Sequence, residues 1–457
     1  MQKNAIIAII AVAIVVVAGG AVAVKVINDK DDGYSPAAYN DADVRLRIFG
    51  NANGDDVINE DDVKTIQKII DDKNDKWKDE YYFADANHDG KIDSKDVDAV
   101  KDIIAKKPMK MWYESAFSIK DKYDGSNDRI DAYVNYPIGT KIGCEYSDVD
   151  ILSVLGVYRY FSATSETAQA DYGNTLYPGI SDLPTMGAKD ELNLEAIGNL
   201  NREGKLDTLI PRTGGTSTNY IWDNAKAAGL TDKVSIVMVM VQGEHCVNGA
   251  LMLACMLGDQ TLSEKYVKWF DSAMDTLGKL DKIDKKTCIV MKTFNPDNLS
   301  NVNAYNQYQP PALWFSKVIN FTEQTAGKKG FTSLGSAEAI KAAMGTTDFV
   351  ICQTKHTPKV TNQEEYNTWA AAKIESIFKN LPVYDAHKVY TIDFSLMPFF
   401  GGPAGCLLLA SQIYGDEVIS WDDACKMVNE YCSDFMPEGS NTAKGMSWGY
   451  TYTGWRA

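Results

Sequence analysis

DANHDGKIDSKD, residues Asp85 to Asp96, is either a solvated acidic loop or a cation cage. A calcium loop needs oxygen donors at positions 1, 3, 5, 7, 9 and 12 of a twelve-residue run, with glycine at position 6 for the sharp turn. Asp85, Asn87, Asp89, Asp93 and Asp96 fill positions 1, 3, 5, 9 and 12, the Lys91 carbonyl serves position 7, and Gly90 sits at position 6. Asp96 stands where a longer glutamate is usual, so closure comes from a shorter arm. A second run, NANGDDVINEDD, offers Asn51, Asn53, Asp55, the Val57 carbonyl, Asn59 and Asp62 at the same offsets. There Asn51 replaces the first aspartate and Asp56 the turn glycine, which predicts a less charged cage, a costlier turn and weaker calcium binding.

Each loop feeds an amphipathic helix, because Val63, Ile66, Ile69 and Ile70 recur at matching offsets as Val97, Val100, Ile103 and Ile104. Two calcium loops, each followed by a helix and lacking the preceding helix of a full EF-hand, make residues 44–107 resemble a type I dockerin module. That resemblance implies two calcium ions and docking onto a cohesin-bearing surface protein. The plain alternative is an acidic, calcium-stabilised spacer.

With 457 residues, 45% of them hydrophobic, the chain is long enough for more than one core. A formal charge of −16 argues against nucleic acid, whose phosphates such a surface repels. Part of the acidity is local, since residues 41–106 hold 18 Asp and Glu against 11 Lys and Arg. Ala5 to Val24 form an unbroken run of apolar residues and glycine, with Lys3 before it and Lys25 after it. Its length matches a bilayer core, so we expect a signal or transmembrane helix within residues 1–28, read as an uncleaved anchor with everything after Lys25 outside the cell. The eight cysteines lack CxxC spacing, which disfavours zinc and iron–sulfur sites and leaves any disulfide pairing open.

Beyond the polar stretch Asp121 to Asp131, short β runs alternate with helices, as in α/β layers. TKIGCEY (140–146), LDTLIP (206–211) and VSIVMVMV (234–241) read as strands of one lobe. TCIVMKTF, TDFVICQT and HKVYTIDF read as strands of another, with helices around residues 336–344, 364–379 and 403–414. Between them, TLSEKYVKWFDSAMDTLGKL (261–280) reads as one long helix, with a capping box at Thr261 and Glu264 and a stop at Gly278. The expected fold is therefore α/β: two Rossmann-like lobes, residues 111–260 and 281–436, joined by helix 261–280. A small all-α calcium module precedes them, and a tail, 437–457, follows.

The halves echo each other, since NLEAIGNLNREGKLDTLIP and SAEAIKAAMGTTDFVIC both run helix, turn, aspartate, buried strand. Together with LPTMGAKDELNLEAIGNL and NLPVYDAHKVYTID, they make residues 130–436 similar to the substrate-binding component of ABC importers of the iron-siderophore and cobalamin type. That resemblance implies a rigid interlobe helix and a ligand between the lobes: an iron chelate, haem or a corrinoid. Its pocket positions map to Tyr146, Met186, Arg212, Gln353, His356, Phe399 and Phe400. Its permease-contacting glutamates map to Glu195 and Glu338, for which a solvated helix carboxylate is the plain alternative. With only four histidines, a naked transition metal is a poor ligand. Neither PRTGGTS nor FFGGPAG ends as a phosphate-cradling loop does, and no catalytic triad or carboxylate pair stands out, so we expect no enzyme. The alternative function is an interaction protein that has lost transport and is recruited to a surface assembly by its dockerin.

Overall fold

A computed structural model of the chain describes residues 15–17, 20–22, 43–115, 130–188, 191–211, 218–239, 241, 243–292, 303–305, 314–326, 332–333, 337–345, 347–354, 362–393, 396–397, 399–440 and 451–455. Most of the N-terminal apolar run falls outside these residues. Its described parts, β1 (Val15–Val17) and β2 (Gly20–Val22), pair antiparallel instead of forming the expected helix. Branched valines on either side of a glycine favour extended chain and a turn. Among the described residues no helix is long and apolar enough to cross a membrane.

The two calcium-type loops lead into helices Glu60–Asp71 and Ser94–Ile104, as expected. Asn59 and Asp93 cap these helices, and Asp62 and Asp96 complete the capping boxes. The buried faces carry Ile66, Ile69, Val97, Val100 and Ile103. The module is welded to the rest of the molecule by a hairpin that the sequence does not announce: β3 (Met109–Glu114) pairs antiparallel with β4 (Asp131–Tyr136). Residues 47–49 lie along β3, with the Phe49 amide donating to the Trp112 carbonyl (3.0 Å) and Arg47 paired with Glu114. The Tyr136 hydroxyl donates to the Ile103 carbonyl at 2.8 Å, and the Tyr113 hydroxyl donates to the Ile236 carbonyl at 2.7 Å. One hydrophobic core consequently runs from Ile48, Ile66 and Val100 through Met111 and Tyr113 into the lobes.

In the first lobe β5 (Ile142–Cys144) pairs in parallel with β6 (Phe161–Thr164). The short antiparallel pair β7 (Gly187–Ala188) and β8 (Glu191–Leu192) follows. Strands β9 (Thr208–Ile210) and β10 (Ser235–Ile236) complete a parallel sheet in the order β10-β9-β5-β6. Among the described residues of the run 234–241, two are strand, and just beyond them the Met238 amide donates to the Tyr113 hydroxyl (3.0 Å) instead of to a strand.

The second lobe is a six-stranded sheet containing β11 (Thr287–Met291), β12 (Asn303–Ala304), β13 (Asn320–Phe321), β14 (Thr332–Ser333), β15 (Phe349–Thr354) and β16 (Val389–Asp393). Its core, β11-β15-β16, is parallel and bears out the three expected strands.

The interlobe helix spans Glu264–Leu277 and buries Tyr266, Trp269, Phe270, Ala273, Met274 and Leu277. Side chains of this size each contribute about 1.5–3 kcal/mol when fully buried. They pack between helix Cys246–Met256 of the first lobe and helix Gly402–Tyr414 of the second, where the Tyr266 hydroxyl donates to the Phe400 carbonyl (3.0 Å). The expected Thr261–Glu264 capping box is absent. Residues Gln260–Ser263 form a tight 3-10 turn instead, Ser263 takes the cap position, and Thr261 donates to Asp259 (2.6 Å). Gly278 keeps right-handed φ and continues into another 3-10 turn.

The last described segment, 451–455, packs on the second lobe: the Tyr452 amide donates to the Thr391 hydroxyl (2.9 Å) and Trp455 stacks on His387 (5.2 Å). All eight cysteines are free, and all but Cys425 are buried.

Candidate functional site

The two calcium-type loops share one hydrogen-bond pattern. In the first, the Asn53 and Asn59 amides donate to the two carboxylate oxygens of Asp62 (3.2 and 2.8 Å), and the Asp55 amide donates to Asn53 (3.1 Å). In the second, the Asn87 and Asp93 amides donate to Asp96 (3.1 and 2.8 Å), and the Asp89 amide donates to Asn87 (2.8 Å). Val57 and Lys91 donate their amides to Asp55 and Asp89, which turns the two position-7 peptides alike.

The loops differ where the sequence differs. Asp85 accepts from the Asp89 and Gly90 amides (3.0 and 2.8 Å). Asn51 instead donates its amide to the Leu46 and Asp55 carbonyls. Position 4 is left-handed in both loops, at Gly54 (φ 73°) and His88 (φ 59°), whereas position 6 is left-handed at Gly90 (φ 85°) and Asp56 is not among the positive-φ residues. The expected turn penalty at Asp56 is therefore not incurred. Asp56 pairs with Arg45 instead.

Do these residues fit a calcium ion? Among the described residues no three His, Cys, Asp or Glu side chains stand grouped to hold a metal as the chain lies, so the carboxylates must close in from their amide bonds. The chemistry of the donors favours a cation nonetheless. Asn51, Asp62 and Asp96 are fully buried, and no hydrogen-bond donor among the described residues reaches Asn51 Oδ1. Burial raises the Asp62 carboxyl well above its ordinary range and the Asp96 carboxyl to about 6. A buried carboxylate, and a buried amide oxygen left without a donor, are both relieved by a cation. His88, at position 4, stacks on Trp112 (4.4 Å) and pairs with Asp131 (2.9 Å), which ties the second loop to β4.

Open α/β sheets bind ligands beyond the carboxyl ends of their strands. Tyr146 follows β5 there and opens the 3-10 turn Tyr146–Val149. Arg212 and His356, which follow β9 and β15, lie outside the described residues. Met186 is fully buried beneath Gly143, Phe400 is buried against Tyr266 of the interlobe helix and Phe399 is buried beside it in the chain, so in this conformation they present no surface to a cleft. Gln353 is buried and accepts from the Tyr305 hydroxyl at 2.5 Å. Glu195 and Glu338 are exposed in the first turns of helices Leu194–Arg202 and Ala337–Met344, at equivalent positions of the two lobes.

Sequence reasoning passed over three buried carboxylates, Glu145, Asp148 and Asp150, at the end of β5. Three acids within EYSDVD, directly after a strand, were the available signal. Burial raises Asp150 to about 7 against an opposing bond from the Tyr177 hydroxyl (2.5 Å). With an ordinary value near ~3.9 in the unfolded chain, the folded chain holds a proton that the unfolded chain has lost between about pH 4 and pH 7, so stability falls as pH rises through that window. We expect Asp150→Asn to flatten this decline, measured as melting temperature against pH in saturating calcium. An unchanged slope would place the titration elsewhere.

No protein-family model matches the chain, and no curated protein is significantly similar to it. Among solved structures, the TroA-like periplasmic binding protein FepB of Veillonella parvula aligns with TM-score 0.50 at 14% identity, covering 64% of this chain and 87% of its own. A periplasmic solute binding protein of the same organism aligns with TM-score 0.50 at 14% identity, covering 70% and 94%. The chain thus shares the two-lobed α/β fold of periplasmic binding proteins.

Proposed function

We propose that the chain is an exported solute-binding protein of an ABC importer, holding an iron chelate, haem or cobalamin-type molecule between its lobes. The observation that carries this reading is the interlobe helix, buried between the two lobes and tied to the second by Tyr266. The apolar N-terminal run supports export and anchoring. The loop spacing and the buried donors Asn51, Asp62 and Asp96 support two calcium ions and a dockerin-type module for a cohesin-bearing partner. In that module the carboxylates and amide oxygens hold the ion, and the ion supplies the positive charge that the buried acids lack.

A thermal-shift panel on the full-length chain tests the capture reading, because a ligand bound only by the folded state raises the midpoint. At least one of haemin, cobalamin and a set of ferric siderophores should raise it, and no shift with any member counts against capture. Exposed Glu195 and Glu338 are the expected permease contacts. Replacing both with alanine should abolish uptake in cells while ligand affinity stays within about twofold, as expected for surface carboxylates. Lost ligand affinity would refute their assignment.

A further inference from the structure

We propose that the first calcium loop is coupled to the interlobe helix through Gln260 and Arg45, so that calcium held there stiffens the element joining the two lobes. The inference rests on reading residues 51–62 as a calcium site.

Ile58 sits between two of that loop's donors, the Val57 carbonyl and Asn59. Both of its backbone groups are held by one side chain: its amide donates to Gln260 Oε1 (2.7 Å) and its carbonyl accepts from Gln260 Nε2 (2.9 Å). Gln260 begins the turn that delivers the interlobe helix, and the Ser263 hydroxyl donates back to the Gln260 carbonyl (2.9 Å). A shift of Ile58 is therefore transmitted to the start of the helix. The second tie lies about two turns further along. Arg45 pairs with Asp56 at position 6 of the loop and, through Nη1, with Asp271 on the helix (2.7 Å).

Between the two ties runs a groove of about 510 Å³ lined by Val57, Glu264, Val267 and Asp271 among others, so loop and helix meet at discrete polar contacts rather than through continuous packing. The second loop has glycine at position 6 and joins β4 through His88 instead. The departure of the first loop from the usual pattern at position 6 thus supplies the carboxylate that Arg45 links to the helix.

Hydrogen exchange of the full-length chain, with calcium and with a chelator, tests the coupling. Calcium should slow exchange of the amides in 264–277 about fivefold or more. Gln260→Ala, which removes no calcium donor, should still bind two calcium ions per chain, lose part of that protection and weaken the first site through linkage, and adding Asp271→Ala, which cuts the Arg45 tie as well, should remove the rest. Gln260→Glu keeps an acceptor for the Ile58 amide but no donor for its carbonyl, and should fall between. Two bound calcium ions without protection of the helix, or full protection that survives when Gln260→Ala and Asp271→Ala are combined, would overturn the coupling alone. A wild-type chain that leaves the first loop empty would overturn the calcium reading beneath it as well.

Discussion

Replacing Gly405 with alanine should destabilise the second lobe by about 3 kcal/mol or more. Gly405 lies in helix Gly402–Tyr414, nearly all of which is buried. A Cβ there would stand 2.0 Å from the Leu396 carbonyl oxygen and 3.0 Å from Ile392 Cδ1. The first of these is backbone and cannot rotate away, so the helix must retreat from the segment around Leu396 that follows β16. Gly229 is the matching control, since it has φ 65° and nothing within 4 Å of a Cβ. Gly229→Ala should lose only about 1 kcal/mol, the cost of a left-handed residue with a side chain. Urea midpoints of the two variants provide the comparison, and similar losses would contradict the packing of this helix.

Chelating calcium should lower the melting temperature of the full-length chain by several degrees. Each site filled at a hundred times its dissociation constant adds about 2.7 kcal/mol. Without the ion, Asp62 and Asp96 remain as fully buried carboxyls and Asn51 Oδ1 as a buried acceptor that no described donor reaches. Because the core is continuous from the module through Tyr113 into the first lobe, the loss spreads beyond the loops. Asp96→Ala should remove most of the calcium effect and Asp62→Ala a smaller part, reflecting the less charged first cage. Below about pH 6 a proton on Asp96 competes with the ion, so the effect should fade as pH drops. Scanning calorimetry with calcium, with magnesium and with chelator measures all three, and identical traces would refute the metal reading.

The parts of this architecture that follow a spacing rule were legible in the sequence. The loop donors repeat at fixed offsets, the stripes Val63–Ile70 and Val97–Ile104 follow the helical period, and β11 and β15 carry the apolar runs CIVM and FVIC that a buried parallel sheet requires. What escaped depends on contacts between segments far apart in the chain. The β3–β4 hairpin closes across an intervening polar stretch, so no short turn signal marks it. The Met238 amide just beyond β10 is taken up by Tyr113, more than a hundred residues earlier. The family resemblance offered Phe399, Phe400 and Gln353 as pocket groups, but facing is decided by packing. Phe400 packs on Tyr266 of the interlobe helix, Phe399 is buried, and Gln353 is taken up by Tyr305. Asp56 reads as a defect in a loop pattern until Arg45 and Asp271 are seen beside it.

Calorimetric titration of the full-length chain with haemin, cobalamin and ferric siderophores, in saturating calcium, bears most directly on capture between the two lobes. Saturable binding of one of these molecules at one per chain is the predicted result. Heats no larger than dilution for every one of them would contradict it.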